Sequence, residues 1–143
     1  MANSLTEVRT ILLPGFDGAA LAIHEMGDAG AWPVLLLHGL FSSAEVNWIK
    51  YGHAACLAEA GFRVIMPDLR AHGQSSAPHE VSAYPRNVLL KDARAVIEGP
   101  GVATHATLGA MLDAGGIDGV LIAVPSPMHV DVVRAVAARG LPI

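Results

Sequence analysis

At 143 residues the chain has the length of one ordinary domain, and its 52% hydrophobic content excludes a disordered tail. A formal charge of −4 leaves no basic footprint for nucleic acid. The lone Cys56 excludes an internal disulfide and a cysteine-rich metal site, and fits a reducing compartment. The first ten residues hold no apolar core of signal-peptide length, and the longest apolar runs fall far short of the ~20 residues that span a bilayer. The expectation is a cytoplasmic protein with no nucleic-acid partner, no membrane partner and no metal.

In chain order, Val8 to Pro14 and Ala20 to Glu25 read as two strands joined by a turn at Gly15-Phe16-Asp17-Gly18. Pro33 to His38 is a compact apolar strand of the kind found in the middle of a parallel sheet. Ala44 to Ala60 has helical spacing that would bury Trp48, Ala55, Leu57 and Cys56, and Gly61 ends it as a left-handed cap. Phe62 to Met66 is the next buried strand. Pro85 to Glu98 is a second helix whose apolar stripe is Val88, Leu89, Ala93, Val96 and Ile97. Gly99-Pro100-Gly101 breaks it. Thr107 to Ala114 is a short helix, Gly119 to Val124 a buried strand, and Pro127 to Ala138 a long helix capped by Gly140. Leu141 to Ile143 would open another strand.

Two motifs carry chemistry in the first part: P-V-L-L-L-H-G-L-F, from Pro33 to Phe41, and M-P-D-L-R-A-H-G-Q-S, from Met66 to Ser75. On these, residues from about 8 to 97 resemble the α/β-hydrolase family. The resemblance makes H-G-L-F an oxyanion loop, in which backbone N–H groups face the carbonyl oxygen that becomes negative in the transition state. Leu40 would supply a donor, Phe41 a second, and Gly39 the close backbone approach. His38 would orient or pack the loop, and Asp68, His72 and Gly73 would shape the turn beneath the site. Asp68, Arg70 and His72 are assigned to loop architecture and surface polarity. His24, His53, His79 and His105 read as scattered surface or edge residues. The family's nucleophile motif G-x-S-x-G occurs nowhere in the chain.

From Gly99 onward the motifs change. G-V-L-I-A-V-P-S-P-M-H, from Gly119 to His129, sits between two helical stretches. The segment 99–143 resembles the glucose-fructose oxidoreductase / inositol dehydrogenase family, which uses NAD or NADP. The resemblance puts Pro125, Ser126 and His129 beside the nicotinamide. Dinucleotide binding also needs a G-x-G-x-x-G run, and none occurs. Lys50 and Lys91, the only lysines, both fall in the hydrolase-like part.

If Gly119 to Val124 occupied the sheet position of a hydrolase nucleophile strand, Ser126 would fall near the nucleophile's place, with His129 three residues on. Flanking prolines and the bulky Val124 and Met128 argue against the strained turn such a serine needs. A helix N-cap accounts better for Ser126.

The sequence therefore predicts an α/β fold, a three-layer α/β/α sandwich with a mostly parallel sheet, chimeric or truncated. A hydrolase-like half, 1–98, and a Rossmann-like fragment, 99–143, are expected to pack as one domain. The expected function is an ester/acyl-hydrolase lineage domain lacking nucleophile, acid and base, catalytically inactive, without cofactor, and at most binding a small carbonyl ligand. The alternatives are an NAD- or NADP-dependent oxidoreductase fragment, and a non-catalytic domain that self-associates through an open sheet edge.

Overall fold

The computed structural model describes residues 4–98, 108–115 and 129–140. The strand expected at 119–124, the P-S-P turn, the breaker at 99–101 and the edge at 141–143 lie outside these. The chain divides into two compact units, Met1–Val102 and Ala103–Ile143.

The first unit is built on a four-stranded mixed sheet in the order β1-β2-β4-β3. Strand β1 (Arg9–Pro14) pairs antiparallel with β2 (Ala20–Met26) across the Gly-rich turn, with Thr10 opposite His24. β2 pairs antiparallel with β4 (Phe62–Pro67), and β4 pairs parallel with β3 (Trp32–Leu35). A hairpin needs only a short turn, which makes the first pair antiparallel; the helical crossover between β3 and β4 makes theirs parallel. Among the described residues β3 is an end strand with Trp32 exposed, and it stops at Leu35, short of the expected His38.

Helices cover both faces of the sheet. Helix α1 (His53–Glu59) packs one face, where Met26, Leu36, Ala44, Ala54, Ala58, Val64 and Met66 form a core joined by Trp48, Ala55 and Leu57. Helix α2 (Val88–Glu98) closes the other, where Val96 meets Leu21, Ile23 and Ile65. The period-two alternation along β4 sends Val64 and Met66 to the first core and Ile65 to the second.

Two helix expectations need correction. The span 44–60 is not continuous: Glu45–Ile49 is a π-helical turn closed by Lys50 N–H on Glu45 O at 2.8 Å. Gly52 then takes a left-handed φ of 78° before α1 begins, and Cys56, expected to be buried, is exposed on α1. Helix α2 begins at Val88, with the Val88 N–H held by Pro85 O at 2.9 Å. Its buried face keeps part of the expected stripe: Val96 is buried, and Val88 and Ala93 are half-buried. Leu89 is 55% exposed, while Asp92 is 3% exposed beside Val96. The expected cap at Gly61 has φ 91°.

In the second unit, α3 (Leu108–Ala114) and α4 (His129–Ala137) contact each other, with Leu112 and Val136 as their buried apolar residues. Arg139 Nη2 donates to Asp113 Oδ1 at 2.5 Å. No helix among the described residues is long and apolar enough to cross a membrane.

Candidate functional site

Two loops leave the C-terminal ends of the parallel strands β3 and β4, the end of a parallel sheet where α/β proteins place their ligands. The first runs through His38, Gly39, Leu40 and Phe41 to Ala44. The second runs from Asp68 to Ser76.

Asp68 joins them. It is 2% exposed. Its Oδ1 accepts from Ala44 N–H at 2.8 Å, and its Oδ2 accepts from Gln74 N–H at 2.8 Å and His24 Nε2 at 3.1 Å. Burial pushes the carboxyl upward, but the bonds from Gln74, Ala44 and His24 together hold it below the usual carboxylate range. Gly73 sits against this carboxylate at φ 50°, and a Cβ there would lie 2.0 Å from Oδ2. Ser75 Oγ donates to Asp68 O at 2.6 Å and accepts from Ala22 N–H at 2.9 Å, tying the second loop to β2.

Two imidazoles stitch the loops together reciprocally. His38, buried, donates from Nδ1 to Gly39 O at 2.8 Å, and its Nε2 accepts from Leu69 N–H at 2.9 Å. His72 donates from Nδ1 to Arg70 O at 2.9 Å, and its Nε2 accepts from Phe41 N–H at 3.3 Å. Each ring thus carries its proton on Nδ1, a tautomer assigned from its partners. The ring centroids are 5.1 Å apart. With both nitrogens of His38 engaged by backbone, no lone pair remains for proton transfer.

This stitching sorts the backbone donors. Gly39 N–H is used by Asn47 Oδ1 at 2.9 Å and Phe41 N–H by His72, whereas Leu40 N–H has no partner among the described residues. Phe41 itself is 93% exposed and holds φ 59°, a conformation that costs a non-glycine residue about 1–2 kcal/mol. In His72→Ala the Phe41 N–H loses its acceptor, so its amide should exchange faster by roughly tenfold with a stability loss of about 1 kcal/mol. Hydrogen exchange read by NMR checks this, and unchanged Phe41 exchange would remove His72 from the loop's support.

Arg70 is buried, as is Asp68, correcting the assignment of both to surface polarity. The Arg70 Nε and Nη2 donate to the two oxygens of Asp92, both at 2.8 Å; Nη1 reaches Asp17 Oδ1 at 3.0 Å and Ala83 O at 2.9 Å, and Nη2 reaches Phe16 O at 2.6 Å. The bonds to Asp92 raise the guanidinium pKa further, against burial, with Asp17 adding to the rise.

His24 is also corrected. It is 3% exposed, with Nε2 on Asp68 and Nδ1 2.8 Å from Thr10 Oγ1, so it is neither surface nor unpartnered. His53 and His79 are exposed. Pro125 and Ser126 lie outside the described residues, and of His129 only the backbone, at the start of α4, is described. The structure thus gathers His38, Gly39, Leu40, Phe41, Asp68, His72 and Gly73 at one end of the sheet. Sequence reasoning missed Asn47, His24 and Asp92. A buried polar partner far along the chain leaves no periodic signal. No group of three or more His, Cys, Asp and Glu side chains that could hold a metal occurs among the described residues.

Residues 33–113 match the model of a family described as the alpha/beta hydrolase fold. Epoxide hydrolase A of Mycobacterium tuberculosis is 33% identical over 126 residues, 88% of this chain and 37% of that protein. The rhizopine catabolism protein MocA of Rhizobium meliloti is 57% identical over 47 residues, 33% of this chain and 15% of that protein. Among solved structures, an epoxide hydrolase from Vigna radiata superposes with a TM-score of 0.60 at 27% identity, covering 71% of this chain and 32% of its own. The chain therefore spans well under half the length of these relatives. The two sequence matches together exceed the length of the chain, so part of it bears both likenesses. Two α/β families built from similar helix–strand units can share a stretch in this way.

Proposed function

Because the chain belongs to the α/β-hydrolase fold family, we propose that it is a hydrolase-lineage portion that receives the oxygen of a small carbonyl ligand on the Leu40 N–H and does not turn that ligand over. The observation that carries this is the sorting of the three loop donors: Gly39 and Phe41 are engaged, and Leu40 is left for a ligand. An N–H held by a stitched loop and aimed at a developing oxyanion stabilises it without reorganisation. One such donor supplies no nucleophile, and acyl transfer stalls without one.

The relatives named epoxide hydrolases suggest a second ligand chemistry for the same donor, since an opening epoxide also builds negative charge on oxygen. Titration with an aryl methyl ketone should move the Leu40 amide resonance while Gly39 and Phe41 stay put. A shift spread evenly over the loop, or none, would count against the reading. Hydrolysis of 4-nitrophenyl acetate that disappears in Ser126→Ala would overturn the non-catalytic part.

The 57% identity to MocA favours one further reading, a retained piece of a dinucleotide site at Pro125, Ser126 and His129. Under it, millimolar NAD or NADP would raise the melting temperature, because a ligand bound only to the native state stabilises it.

A further inference from the structure

On the face of the sheet that packs α1, a hydroxyl, an imidazole and a carboxylate stand in line. Thr10 Oγ1 is 2.8 Å from His24 Nδ1, and His24 Nε2 is 3.1 Å from Asp68 Oδ2. The order follows from strand pairing: Thr10 lies directly opposite His24 on β1 and β2, and Asp68 follows β4, where His24 pairs with Met66. The two inner members are buried and the outer one is exposed, on β1, an end strand among the described residues.

The protons can be assigned. Asp68 already accepts two backbone N–H groups, and a carboxylate held in its charged form can only accept, so His24 Nε2 carries a hydrogen toward it. In the neutral ring Nδ1 is then the bare lone pair, and it faces the Thr10 hydroxyl. A nucleophile within hydrogen-bond reach of a base that a third group orients is the geometry of an activated hydroxyl, whatever its place in the chain.

We propose that Thr10, His24 and Asp68 form a hydroxyl–imidazole–carboxylate relay that makes Thr10 a self-acylation site for small activated acyl donors. In the step, Thr10 Oγ1 forms a bond to the acyl carbon and its proton passes to His24 Nδ1. The bond from acyl carbon to leaving oxygen breaks, and that oxygen takes the proton from His24 Nδ1. Asp68 stays ionised throughout and steadies the transient imidazolium. Thr10 is exposed, so the donor needs no cavity to reach it. The product is one ester per chain. This site is separate from the Leu40 donor and from Ser126, and does not depend on either.

The test treats the full chain, in a Cys56→Ser background, with 4-nitrophenyl acetate and maps adducts by peptide mass. An acetyl group on Thr10 is expected. It should persist in Thr10→Ser, vanish in Thr10→Val, and form at least roughly tenfold more slowly in His24→Gln, with folding checked by circular dichroism. If His24→Gln does not fold, the Thr10→Ser and Thr10→Val pair decides alone. Absence of the adduct at Thr10, or an undiminished rate in folded His24→Gln, would overturn the proposal.

Discussion

Replacing Arg70 by Met should remove about 3–5 kcal/mol of folding stability, the usual cost of stripping one partner from a buried ion pair. Against a total of about 5–15 kcal/mol for a typical domain, the variant stands near the edge of folding. The guanidinium bonds at once to the turn before β2 through Phe16 O and Asp17, to the loop before α2 through Ala83 O, and to α2 itself through Asp92. Without it Asp92 keeps a single donor among the described residues, Phe16 N–H at 2.9 Å, for a charge that is almost wholly buried. Arg70→Lys should recover little, since a point-charge ammonium cannot span both carboxylate oxygens. Adding Asp92→Asn to Arg70→Met should restore part of the loss, because no unpaired charge then stays buried. Urea unfolding of the three variants measures this. A loss under about 1 kcal/mol for Arg70→Met would show that the network is not what holds α2 to the sheet.

The same contact shows what the sequence could and could not reveal. The β1–β2 hairpin, β4 and the stop at Gly61 follow from local signals, namely alternation, a glycine-rich turn and a positive φ that only glycine adopts easily. The buried face of α2 follows only in part. Hydrophobic periodicity turns Leu89 inward and says nothing of Asp92; the fold exposes Leu89 and buries Asp92 beside Val96, because Asp92 answers a charge distant in the sequence. His24 was missed for the same reason, its partner Asp68 being brought near only by β2 pairing with β4.

The site divides along the same line. The motifs H-G-L-F and D-L-R-A-H-G-Q-S were legible as loops with a role, and the resemblance named their residues. Which N–H groups are occupied was not legible. That depends on Asn47 and His72 reaching the loop from other elements. A backbone donor becomes specific when its neighbours are engaged, and their engagement is a property of the assembled fold.

Asp68→Asn should cost about 2–3 kcal/mol at neutral pH, because the substitution keeps shape and removes only charge and an acceptor. The carboxylate receives three donors, Ala44 N–H on one oxygen, Gln74 N–H and His24 Nε2 on the other. An amide has one oxygen, so whichever way it turns, its NH2 faces at least one buried donor. The loss should also depend on pH with a definite sign. The folded carboxyl lies below its ordinary range, so the unfolded chain takes up a proton first as pH falls. The stabilisation is then complete above the unfolded value, about 3.9, and fades as pH drops through the lower folded value. Wild type and Asp68→Asn should therefore differ by a constant amount from neutral pH down to about pH 5 and converge below about pH 4. Denaturant melts across that range test it. A gap that persists undiminished under strong acid would assign the loss to packing, leaving the Asp68 charge with no part in joining the two loops.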